Sequence, residues 1–349
     1  MKIHFLVLIL LALIGLSFVF YAKNTKLGSP TEQLNQKIKG ITMVAPPMKF
    51  ITNPMIDIKK VNADWIALIP FAFTPKSRPE VHYGASNWQW WGESKEGIQS
   101  CIEIAKKNGL KVMLKPQVYI HGLWTGEMQF SKEEDWHSWE EQYTQYILSM
   151  LQLAIEYKVE MFCIGTEFCK SSELRETFWL NLIATIRSKY SGLLTYSDNW
   201  DHYSKVSFWN KLDYVGISAY FPLLEKINPS PEELITSWQV YVKELNTFSQ
   251  KVNKKILFTE YGYLSIDGAS GKSWELEKKI NEVPINEKAQ ADCYQSLFES
   301  LWGQTFWAGG FVWKWFPEGM GHEGYPERDY TPQNKQASKV LSQWYSRNE

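Results

Sequence analysis

Short apolar runs, bounded by polar or turn residues, recur along the chain. They fall at residues 39–44, 65–69, 111–118, 161–164, 193–197, 213–220, from 256, and 309–315. Runs of this length without clear alternation read as strands buried on both faces. Most are followed by a segment with helical spacing. Ile98, Cys101, Ile102 and Ala105 repeat on one helical face between 94 and 107, and Asn108-Gly109 closes that helix. Further helices are expected at 135–157, 172–190, from Ser230-Pro231-Glu232-Glu233 to about 252, and at 287–302. Asn53-Pro54 opens a short helix to about 61, and Thr331-Pro332 opens the last one.

Strands alternating with helices imply parallel pairing. Eight such units over 36–349 predict an α/β chain folded as one (β/α)₈ TIM barrel. The alternative, an open doubly wound sheet, usually carries a glycine-rich loop after its first strand. Met43-Val44-Ala45-Pro46-Pro47 has no glycine there. Three segments read as loops. One carries Phe71, Phe73, Tyr83, Trp88, Trp90 and Trp91, one His121 and Trp124, and one Gly268, Gly271 and Trp274.

The first 35 residues differ from the rest. A short basic start precedes an apolar run over 5–22, and residues 23–35 form a polar tether. This predicts export, with residues 1–22 as a cleaved signal peptide or, at nearly the ~20 residues that span a bilayer, an anchor. Either way the domain is expected outside the cytoplasm, secreted, periplasmic or membrane-anchored. It is expected to act as a monomer.

Lys and Arg total 37 against 38 Asp and Glu, with no basic stripe, so a nucleic-acid partner is excluded. Cys101, Cys163, Cys169 and Cys293 lack C-x-x-C spacing and read as buried free thiols. The six histidines form no H-E-x-x-H pattern, so neither a metal nor a cofactor is expected. The 17 Trp, 18 Tyr and 18 Phe mostly fill a core, and the surplus suits a cleft in which flat rings stack on sugars.

Two strands end in the same way. Ile164-Gly165-Thr166-Glu167-Phe168 closes the fourth and Phe258-Thr259-Glu260-Tyr261-Gly262 the seventh. A carboxylate at the end of a buried strand is costly as a structural residue, and a barrel keeps its chemistry at the strand C-termini. Lys115, Asn199, Tyr220, Trp313 and Trp315 fall on the same rim. Singly, each has a structural reading as a rim charge, a packing wedge or a barrel plug. Together with two carboxylates they predict a retaining glycosidase, with one carboxyl as nucleophile and the other as acid/base about 5–5.5 Å away. Tyr220 would donate to Glu260, while Lys115 or Asn199 would bind sugar hydroxyls.

These stretches, with Leu114-Lys115-Pro116, Leu194-Thr195-Tyr196 and Asn199-Trp200, make residues 36–349 resemble the 4/7 superfamily of glycoside hydrolases, clan A. The chain is most similar to glycoside hydrolase family 113, whose characterised members are endo-β-1,4-mannanases. The resemblance implies Glu167 as acid/base, Glu260 as nucleophile and a polysaccharide or oligosaccharide substrate, β-mannan first, with β-glucan or xylan as alternatives. Much of the clan places Asn before the acid/base to hold the sugar 2-hydroxyl. Thr166 stands there, which moves that role to Asn199. A non-catalytic sugar-binding barrel would not need both acids. An aldolase using Lys115 as a Schiff base would not need export or a tryptophan-rich cleft.

Overall fold

A computed structural model describes residues 36–84 and 89–347. The apolar run 5–22, the tether and Trp88 lie outside the described residues. Eight parallel strands close a barrel: β1 (Ile38–Met43), β2 (Trp65–Leu68), β4 (Lys111–Leu114), β6 (Met161–Thr166), β7 (Leu193–Asn199), β8 (Val215–Ser218), β9 (Ile256–Tyr261) and β10 (Trp307–Trp315). Helices between successive strands include α1 (Met55–Lys60), α2 (Lys95–Lys107), α3 (Glu133–Glu156), α6 (Pro231–Val252), the short α7 (Ser273–Leu276) and α8 (Glu287–Leu301). The expected TIM barrel is the fold, and the doubly wound alternative is excluded by ring closure.

The strands bury both faces because alternate residues enter two cores. Trp65, Ala67, Met113, Met161, Cys163, Leu257 and Phe311 pack in one cluster, while Ile66, Leu68, Val112, Leu114, Phe162, Ile164 and Phe258 join the helices in another. Gly40 is required here, since a Cβ would stand 2.3 Å from the Phe311 ring.

The expected single strand over 111–118 is two. Pro116 cannot donate to a ladder, so β4 stops at Leu114 and β5 (Gln117–Tyr119) begins beyond it. β5 pairs with β3 (Phe71–Phe73), which follows Pro70 inside the predicted aromatic loop, and the two form a separate parallel sheet. The helix expected over 172–190 is also divided. Arg175 leaves helical geometry and splits it into α4 (Cys169–Leu174) and α5 (Glu176–Arg187). Its guanidinium turns instead to Glu140 of α3 and to Glu133. The last helix, α9 (Gln336–Tyr345), starts later than Pro332, because Asn334 takes a left-handed φ of 59°.

Candidate active site

Glu260 reaches the barrel mouth through an irregular register. Ile217 pairs with Phe258, but Ser218 pairs with Glu260, so one extra residue enters β9. Leu257 faces the barrel interior, and simple alternation would turn residue 260 outward. The bulge restores it to the inward set, a common device for re-aiming a side chain. Glu260 is 5 % exposed. Lys115 forms an ion pair with its Oε1 and is itself fully buried. Gln117 Nε2 donates to the same oxygen at 2.9 Å, and the Tyr220 hydroxyl donates to Oε2 at 3.0 Å. Burial and then the charge of Glu260 push the Tyr220 phenol well above its ordinary range, so it stays a donor.

Glu167 follows β6 in a left-handed backbone conformation, φ 55°. Few non-glycine residues adopt it, and such strain concentrates at functional sites. Its N–H donates to the Ser197 carbonyl at 2.7 Å, which ties the turn to β7. Its carboxyl accepts from Trp124 Nε1 at 2.6 Å and from the Ser218 hydroxyl. Burial, then the nearby charge of Glu260, pushes its pKa up to about 7, against the opposing effect of those donors and Lys115. Beneath the rim, Ser197 Oγ lies 3.1 Å from Ser218 Oγ and 2.6 Å from Thr259 Oγ1, a hydroxyl chain leading toward Glu167.

The remaining rim residues divide. Asn199 ends β7 half-buried, with Nδ2 donating to Asp201 Oδ1 at 2.7 Å. Trp313 is partly buried beside Tyr220 and Tyr330. Trp315 is 5 % exposed within the main core, and its carbonyl accepts from the Val44 N–H at 3.0 Å. Thr166 Oγ1 is buried. Trp274, from the insertion after β9, stacks on Trp200 at 5.9 Å with planes 20° apart. Cavities of about 210 and 420 Å³ lie beside that insertion and are lined by none of these rim residues.

Gln117, Trp124 as a partner of Glu167, and Ser218 are the site residues that sequence reasoning missed. Gln117 had a signal, since it lies two positions past Lys115 and so on the same side of the chain. The structure also gathers Cys169, Asp198 and His202 within 4.8 Å, a grouping their spacing did not reveal. Every donor there is committed: the thiol to Asp198 Oδ1, His202 Nδ1 to Asp198 Oδ2 at 2.7 Å, and Nε2 to Glu173. These bonds form a closed polar bracket behind the Glu167 turn. All four cysteines are buried and unbridged.

Comparison with known proteins finds related folds. A family 113 β-mannanase from Alicyclobacillus acidocaldarius, in complex with ManMIm, matches with a TM-score of 0.76 and 26 % identity over 89 % of this chain and 97 % of that one. A complex of a family 113 β-1,4-mannanase gives 0.75 and 26 % over 89 % and 100 %. A β-glucuronidase from Ruminococcus gnavus, at 12 % identity and 0.61 over 89 % of this chain and 50 % of that one, shares the fold. No curated protein matches the sequence. The pattern of Glycoside Hydrolase Family 113 matches residues 50–335, a span that holds both rim carboxylates. The chain therefore belongs to glycoside hydrolase family 113.

Proposed function

We propose that this glycoside hydrolase is a retaining, endo-acting β-mannanase with Glu167 as acid/base and Glu260 as nucleophile. The main support is the contrast between the two carboxyls. Glu167, raised to about 7 by burial and by the Glu260 charge, holds a proton near neutrality. Glu260 accepts from Lys115, Gln117 and Tyr220, so both its oxygens are fixed.

In the first step Glu260 attacks the anomeric carbon and the glycosidic C–O bond breaks. Glu167 gives its proton to the departing oxygen. In the second step the Glu167 carboxylate takes a proton from water, whose oxygen displaces Glu260 from the same carbon. Two inversions leave the anomeric configuration unchanged. The β-mannan assignment rests on the β-mannanase neighbours.

Incubation with β-mannan, β-glucan and xylan tests the substrate, and proton NMR of the first product tests the mechanism. Mannan is expected to be cleaved, mannohexaose faster than mannobiose, with the β-anomer formed first. An α-anomer would remove the double displacement. Cleavage of glucan or xylan without mannan would replace the substrate and keep the mechanism. Residues 5–22 support a second reading, export of the enzyme to meet its polymer outside the cell. Full-length protein recovered from the cytosol would count against that.

A further inference from the structure

Trp124 stands on the loop between β5 and α3, just before the turn Thr125–Glu127. Its side chain is 44 % exposed, so burial alone gives little reason for its position. Its Nε1–H nevertheless donates to Glu167 Oε2 at 2.6 Å. The other half of the indole has a seat. A Cβ on Gly126 would stand 2.5–2.6 Å from three carbons of the six-membered ring, closer than any real contact. Gly126 does not take a positive φ. It is therefore the missing side chain, and no special backbone shape, that the ring uses.

We propose that Trp124, seated on Gly126, is a positioning residue for the acid/base, holding Oε2 of Glu167 so that the other oxygen faces the glycosidic bond. The proposal rests on the reading of Glu167 as acid/base. As Glu167 gives up its proton, negative charge develops on the carboxyl and the indole N–H bond strengthens. An interaction that strengthens in the transition state raises kcat more than it lowers KM. In the second step the same bond keeps the carboxylate aimed at the incoming water.

Glu260 from β9, Lys115 after β4 and the Ser218 hydroxyl of β8 also act on Glu167, whose charge in turn bears on Tyr220 beyond β8 and on Cys169 of α4. These come from strand ends or the adjoining helix, whereas Trp124 reaches in from the loop above. Losing its bond leaves the other influences in place and favours the protonated carboxyl, so the alkaline limb of the pH profile moves up.

The test uses the full-length enzyme with W124F and G126A, the latter keeping the indole but forcing it off its seat. Substrates are the polymer the enzyme cleaves and the matching dinitrophenyl β-glycoside, whose leaving group needs no proton. On polymer, each variant should lose about tenfold in kcat with little change in KM. The alkaline limb should rise by roughly half a pH unit or more. On the aryl glycoside kcat/KM should barely change, and the double variant should be no worse than W124F. An unmoved alkaline limb, or equal losses on both substrates, would overturn the proposal. E167Q separates the two ideas. If it keeps activity on polymer and the alkaline limb, the reading of Glu167 fails; if it loses both while W124F leaves the limb in place, only the role of Trp124 fails.

Discussion

Lys115 and Glu260, 145 positions apart in the chain, meet as an ion pair enclosed at the barrel mouth. Both side chains are removed from water, so each depends on the other to offset its desolvation. K115A leaves a buried carboxylate without its cation and should cost about 3–5 kcal/mol of stability, read by urea unfolding. K115M/E260M removes both charges and should recover much of that loss. A K115A variant as stable as wild type would mean that the pair contributes little to holding the rim.

The two carboxyls should behave differently when deleted. E167Q and E260Q are each expected to fold and to lose several orders of magnitude in turnover. Azide should rescue a small-residue variant at Glu260 as a glycosyl azide of inverted configuration. At Glu167, with an activated leaving group, the azide product should keep the substrate's configuration. The opposite pattern would exchange the roles.

The raised pKa of Glu167 carries both a rate and a stability consequence. Activity should fall as pH rises through about 7, where the acid loses its proton. Between its ordinary value of 4.5 and about 7, the unfolded chain has released this proton and the folded protein still holds it. Folding stability from this group is therefore full below 4.5 and declines as pH rises to about 7. E167Q removes that dependence. Its melting temperature relative to wild type should be higher at pH 8 than at pH 4, and a difference that stays constant with pH would contradict the assignment.

Tyr220 donates a hydrogen bond to Glu260 Oε2. Y220F keeps the ring against Tyr330 but loses that bond. Turnover should fall roughly 10–100-fold, as expected for a bond to a charged group. Pre-steady-state kinetics would show which displacement slows, and unchanged rates in both would exclude a catalytic use of the hydroxyl.

The barrel was legible because its strands carry little but apolar residues, and both cores accept them equally. Glu167 and Glu260 were legible because a carboxylate at a strand end has few structural uses. The bulge that turns Glu260 inward was not, since register is a relation between strands and leaves no trace in one of them. Pro116 breaks the strand expected over 111–118, and the partner of the strand beyond it lay inside a loop 46 positions earlier, at Phe71–Phe73. Trp124 was recognisable as a cleft aromatic, whereas its bond to Glu167 depends on loop geometry fixed partly by Gly126. The Cys169–Asp198–His202 bracket lay hidden because Cys169 follows β6, whereas Asp198 and His202 stand at the end of β7 and just after it.

The small sheet of β3 and β5 ties the segment after β2 to the barrel mouth. Its two strands continue β2 and β4 beyond Pro70 and Pro116, and they bond to each other as a sheet separate from the ring. His82 bridges antiparallel to Phe73, so the chain after β3 folds back onto this sheet. Because Gln117 of β5 also donates to Glu260, a change in the pairing of β3 with β5 would be felt at the barrel mouth.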